Sequence, residues 1–109
     1  MTNVNKVIRD GKVAVLYSPA WGSPWSSDYS GDCKNFMMFD PGLVKLVEQD
    51  KRSSIRAYIA ATKFAEEIYC GGADDLIIEW IPVGTEFRIE EYDGKESIIY
   101  NHPSYWTVA

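Results

Sequence analysis

The chain has 109 residues, enough for one domain with a real core and too few for two. Sixteen acidic residues against eleven basic ones give a formal net charge of −5. Such a surface repels phosphate backbones, and no Lys/Arg cluster offsets it, so nucleic-acid binding is not expected.

Lys6 to Tyr17 reads as two β-type runs around Asp10-Gly11, a strong hairpin signal because both central residues of a type I′ turn need positive φ. Val13, Val15 and Tyr17 alternate with Ala14 and Leu16, which predicts a central strand, apolar on both faces. Residues 18–32 are broken by Pro, Gly and Ser into a long loop, a length that is often functional. Phe36-Met37-Met38-Phe39 is a short apolar run that fits a strand or a buried turn. Asp40-Pro41 then opens a helix, with Asp40 as N-cap and Pro41 pre-set for the first helical position. Its buried stripe is Leu43, Val44, Leu46 and Val47. A second helix is expected from Ser53 or Ser54, carrying Ile55, Ile59, Phe64 and Ile68 on one face and ending at Gly71-Gly72 in a left-handed stop.

Leu76 to Ile81 is apolar on both faces except for Glu79 and predicts an inner strand. A Pro82-x-Gly84-Thr85 turn joins it to Glu86–Tyr92, where Phe87 and Ile89 alternate with Glu86, Arg88 and Glu90 as one covered and one wet face. This hairpin is expected to organise the chain. Asp93-Gly94 turns into Glu96–Tyr100, and after a break at His102-Pro103, residues 105–108 read as a last short strand. The order ββ-αα-βββ predicts a single α+β domain over residues 1–109, an antiparallel sheet with two helices packed on one face.

Enzyme signatures are sparse. His102 stands alone, and neither a Gly-x-Ser-x-Gly elbow nor a phosphate-binding glycine loop occurs. No catalytic residue, metal site or cofactor is expected. Asp74, Asp75 and Glu79 are the single carboxylate cluster worth testing, and a solvated loop is the more economical account of them. Glu86 and Glu90 flank Arg88 on one strand face and are expected to partner it. Ile78 to Phe87 resembles the closing strand of mono-ADP-ribosyltransferases, with a Glu ahead of Pro-x-Gly-Thr-x-Phe. The chain is shorter than that fold and carries no other part of its motif set.

The aromatics are the compositional deviation: 4 Trp, 7 Tyr and 4 Phe. Trp21, Trp25 and Tyr29 sit among Gly22, Ser23, Ser26, Ser27 and Ser30, a mixture resembling antibody paratopes. At a spacing of four, local helicity would put the three rings on one side as a stacking platform for a planar ligand; the alternative is a lid folded on the sheet. Trp21, Gly22, Ser23, Trp25, Ser26 and Tyr29 are therefore the candidate ligand-binding residues. Arg88 joins them for a ligand's negative charge, with Arg9 and Arg56 as further candidates.

The stretch Lys6 to Leu16, the Ser18-Pro19 loop with its Gly and Trp, and the block Gly71 to Gly94 together resemble a family of small phage and prophage accessory proteins. The resemblance brings no catalytic residues with it. It implies an accessory role such as counter-defence. One form is a non-catalytic sponge that sequesters a small nucleotide-like immune signal; another is an acidic inhibitor bound to a host defence protein. A small enzyme using Asp74, Asp75 or Glu79 is the third reading. Met1 to Lys6 lack a signal-peptide profile and no apolar run reaches membrane-spanning length. A cytoplasmic protein without a membrane partner is expected, in the host cytoplasm if phage-encoded, with Cys33 and Cys70 reduced. Monomer and homo-oligomer both stay open.

Overall fold

The computed structural model describes residues 5–100 and the strand at 107–108. The elements are β1 (Ile8–Arg9), β2 (Lys12–Tyr17), α1 (Gly31–Phe39), α2 (Pro41–Glu48), α3 (Ile55–Ala60), β3 (Ile77–Pro82), β4 (Glu86–Tyr92), β5 (Lys95–Tyr100) and β6 (Thr107–Val108), with 3₁₀ turns at Arg52–Ser54 and Ala73–Asp75. The fold is α+β with antiparallel pairing throughout. The strands divide over two three-stranded sheets, ordered β1-β2-β3 and β5-β4-β6.

The sequence of β2 explains this arrangement. Val13, Ala14, Val15 and Leu16 are all fully buried, so both faces of the strand need cover. Ala14 and Leu16 pack against Met37 of α1, Leu43, Val44 and Val47 of α2, and Ile55 and Ile59 of α3. Val13 and Val15 face the second sheet and pack with Ile81, Phe87 and Ile89. Helices, first sheet and second sheet therefore form successive layers.

The Gly71–Gly94 block is a corner between the sheets and not a paired hairpin. β3 pairs along its whole length with β2, from Lys12↔Pro82 to Tyr17↔Ile77, and is an edge strand among the described ones. The turn after it is fixed by Thr85 N–H donating to the Pro82 carbonyl at 3.0 Å and Val83 N–H donating to Gly11 at 2.9 Å. Both Asp-Gly turns adopt positive φ at both residues, Asp10 (52°) and Gly11 (74°), Asp93 (54°) and Gly94 (82°).

Asp40 caps α2 as its sequence demands: Oδ2 accepts from Leu43 N–H at 3.1 Å, with Pro41 in the first turn. The same oxygen accepts from Tyr58 Oη at 2.6 Å; burial, with this bond second, pushes the Tyr58 phenol up to about 12. The run at 36–39 is helical, not a strand or a turn, and belongs to α1. It shows no periodicity because α1 serves two cores, Cys33 and Met37 in one and Met38 and Phe39 in the other. The helix expected to reach Gly71 stops at Ala60. There Thr62 Oγ1 donates to the Ile59 carbonyl at 2.7 Å and accepts from Phe64 N–H at 3.2 Å, offering the backbone an alternative to the next helical turn. Phe64 reaches the core from a turn and Ile68 from the irregular stretch after it. The predicted break at His102-Pro103 and residues 105–106 lie outside the described residues.

Gly71 and Gly72 are not left-handed. Gly72 is needed for closeness: a Cβ there would lie 2.6 Å from the Ser23 carbonyl oxygen and 2.7 Å from that of Pro24. Gly72→Ala is therefore expected to destabilise by about 1–3 kcal/mol through overpacking against immovable backbone. Gly71→Ala should cost less, because it meets only the exposed Tyr69 ring, which can swing away. Urea denaturation of the two variants checks the order.

Candidate functional site

The loop of residues 18–30 is held by a residue from the other end of the chain. Glu96 of β5 is fully buried, and its carboxylate reaches into the loop from the second sheet. Oε1 accepts from Ser18 N–H at 3.0 Å, and Oε2 accepts from Trp25 N–H and Ser27 N–H, both at 2.9 Å. Glu96 N–H also donates to the Ser18 carbonyl at 2.9 Å, and Gly22 N–H to that of Asp93 at 3.1 Å. Among the described residues no cation pairs with Glu96, so convergent backbone N–H dipoles compensate the buried carboxylate. Gly94 completes the clamp by proximity, since a Cβ on it would sit 2.4 Å from Gly22 Cα.

This clamp separates the rings that the spacing of four had suggested would align. Residues 18–30 form turns, not a helix. Trp25 is buried in the core between α1 and the first sheet, its indole Nε1 donating to the Met37 carbonyl at 2.7 Å. Tyr29 is half-buried, and its Oη accepts from Tyr69 N–H at 2.8 Å. Ser26 is fully buried, and Ser23 is half-buried with its carbonyl against Gly72. Gly22 takes positive φ (73°) in the turn that projects Trp21. The three-ring platform therefore does not form: Trp25 and Ser26 face inward, and Trp21 alone of the three rings stands out, 61 % exposed.

Trp21 has company that the sequence did not reveal. Tyr92, 76 % exposed, meets it edge-on with ring centroids 6.0 Å apart, and the Lys95 ammonium lies 5.3 Å from the Trp21 centroid. Tyr92 and Lys95 are directly paired across β4 and β5. Alternation along β4 puts Arg88, Glu90 and Tyr92 on the same outer face, and these three, with Ser97 opposite Glu90 and with the neighbouring Glu91, line a shallow groove of about 520 Å³. Arg88 forms an ion pair with Glu90, as the strand pattern predicted, while Glu86 is exposed at the start of the strand. Of the predicted site, Trp21 and Arg88 thus share one surface. Glu90, Glu91 and Asp93, next to Tyr92 along the chain, are exposed.

The remaining candidates lie elsewhere. Arg9 pairs with Glu48, Nη2 to Oε1 at 2.9 Å, and covers Trp80 with its guanidinium 5.3 Å from the ring centroid. Arg56 approaches Asp74 at 3.7 Å. Asp74 and Asp75 are exposed in a 3₁₀ turn, whereas Glu79 accepts from Tyr100 Oη at 2.9 Å across the two sheets, so the three carboxylates do not converge. Among the described residues no three His, Cys, Asp or Glu side chains are placed to hold a metal ion, and no helix is long and apolar enough to cross a membrane. Cys33 and Cys70 are free thiols, both pushed up chiefly by burial.

Glu96 did leave a signal. Along β5 it shares a period-two face with Ile98 and Tyr100, so a carboxylate stands in line with a covered face, where it requires dedicated donors. Comparison with protein-family models, with curated proteins and with solved structures finds no match.

Proposed function

We propose that the protein is a non-catalytic binding protein whose outer second-sheet face docks a basic partner protein. The observation that carries this reading is the Trp21–Tyr92 pair, two large exposed rings in edge-to-face contact, with the exposed carboxylates Glu90, Glu91 and Asp93 close to Tyr92 in the chain. Tryptophan and tyrosine concentrate binding energy at protein interfaces, and a surface of one charge sign selects and steers a partner of the other. The overall charge of −5 points the same way. In the setting implied by the phage-type resemblance, the partner is a host defence protein in the host cytoplasm.

Trp21→Ala is expected to weaken partner binding by about 2 kcal/mol, roughly thirtyfold, while leaving the fold intact. A Glu90→Lys, Glu91→Lys double variant should abolish it. Binding of the wild type should also fall steeply as salt rises to about 0.5 M. Affinity capture from host lysate, with wild type and both variants run side by side, tests this. A partner retained equally by all three proteins would overturn the assignment.

A second reading, sequestration of a nucleotide-like ligand, is favoured by one observation: the Trp21 ring and the Lys95 ammonium lie together beside the groove that Arg88 lines. A base would stack on Trp21, and Lys95 would meet a phosphate. The net charge of −5 opposes an anionic ligand, which places this reading second. Native mass spectrometry separates the two. A stoichiometric small molecule, released unchanged on denaturation and lost in Trp21→Ala, would put sequestration first.

A further inference from the structure

Where the two sheets diverge, a cleft of about 260 Å³ opens between β2, β3 and β5, lined by Tyr17, Pro19, Glu79, Lys95, Ile98 and Tyr100 among others. Its chemistry differs from that of the Trp21 surface. Glu79 lies opposite Val15 in the β2–β3 register, on the face that the second sheet covers, yet at the end where that cover runs out. Its Oε2 accepts from Tyr100 Oη at 2.9 Å. Among the described residues no donor reaches Oε1. Burial, then the bond and charge of Glu79, pushes the Tyr100 phenol up to about 12, and burial with Glu79 raises Tyr17 as well. Both rings are therefore neutral at physiological pH and present π faces and hydroxyl groups beside a carboxylate. Lys95 lines the rim, but its ammonium is drawn over Trp21, 5.3 Å from that centroid.

We infer that this cleft is a guanidinium-binding site, with Glu79 as the charge partner and Tyr17 and Tyr100 as the aromatic walls, and that it takes an arginine side chain of the basic partner. A guanidinium is planar and weakly hydrated and stacks on aromatic faces, so a carboxylate sharing one cleft with two phenol rings suits it better than it suits a compact, strongly hydrated ammonium. The identity of the occupant as a protein side chain rests on the docking function proposed above; the affinity for guanidinium does not.

The test is an NMR titration of the full chain with methylguanidinium chloride, with sodium acetate and with potassium chloride at matched ionic strength. Methylguanidinium should shift the amides of Tyr17, Glu79, Ile98 and Tyr100 saturably, and the other two salts should not. Glu79→Gln keeps the shape of the side chain and should weaken binding at least about tenfold. Glu66→Gln, an exposed carboxylate outside the cleft lining, should leave it unchanged. A blocked Gly-Arg-Gly peptide should bind more tightly than methylguanidinium at the same residues. No saturable shift, or equal binding by Glu79→Gln, would overturn the site. A peptide that binds no better than methylguanidinium would reject a protein side chain as its occupant. Partner capture that fails while methylguanidinium binds would reject the docking function and leave the guanidinium site standing.

Discussion

Glu96→Gln is expected to lower stability by about 3 kcal/mol and the melting temperature by roughly 10–15 °C, although the substitution removes only a charge and leaves the side-chain volume unchanged. A carboxylate is acceptor-only, which suits a pocket where three N–H donors converge from Ser18, Trp25 and Ser27. An amide offers one acceptor oxygen and two donor hydrogens. Whichever way it is turned, its NH₂ group faces an N–H, so at least one buried backbone donor loses its partner, at a cost of about 1–3 kcal/mol. The bonds that survive lose their charge assistance. Because the clamp fixes the loop that projects Trp21, the same variant should also lose partner binding. An unchanged melting temperature would mean that the loop is held by its own packing and that Glu96 is incidental.

Trp25→Ala is expected to cost about 3–5 kcal/mol, the range for removing a large aromatic from a packed core. Against the 5–15 kcal/mol typical of whole domains, that is enough to leave a sizeable unfolded fraction. Trp25→Phe is the more readable variant. The Met37 carbonyl lies in the last turn of α1, where carbonyls have no intrahelical partner, and the Trp25 indole N–H supplies one at 2.7 Å. Phenylalanine fills part of the space but leaves that carbonyl orphaned, for a loss of about 1–3 kcal/mol. Trp21→Ala, four residues away, should change stability by no more than about 0.5 kcal/mol, since Trp21 is 61 % exposed. Urea denaturation of the three variants measures the contrast. Equal, small effects at Trp21 and Trp25 would contradict the burial of Trp25 and restore the stacking platform.

What could be read from the sequence was what short-range chemistry decides. Asp10-Gly11 and Asp93-Gly94 turn the chain because their positive φ values are local requirements. Asp40-Pro41 starts α2 because cap and first-turn geometry are local too. The two-faced burial of β2 followed from composition alone. The rest depended on partners distant in the chain. α1 hides its period by dividing four consecutive apolar residues between two cores. β3 reads as the first arm of a hairpin with β4, yet its register commits it to β2, sixty to seventy positions earlier. In the loop, a spacing of four aligned Trp21, Trp25 and Tyr29 only on the premise of a helix, which Pro19, Gly22 and Pro24 oppose. Trp21 and Arg88 do share a face, but the link between them is Tyr92, which the strand pattern places outward without indicating that a loop ring would rest on it. Glu96 marked the covered face of β5 as unusual; its donors could be found only in the folded chain.

A buried carboxylate clamps residues 18–30 so that Trp25 closes the core and Trp21 stands exposed. Amide hydrogen exchange at Trp25 and Ser27, compared between wild type and Glu96→Gln, tests it most directly. Slow exchange is expected at both amides in the wild type, with rates close to those of the paired β2–β3 amides. In the variant the two amides should exchange far faster than that sheet, which stays protected. If the wild-type amides already exchange as quickly as those of an open loop, the clamp does not exist and Trp25 is free to leave the core.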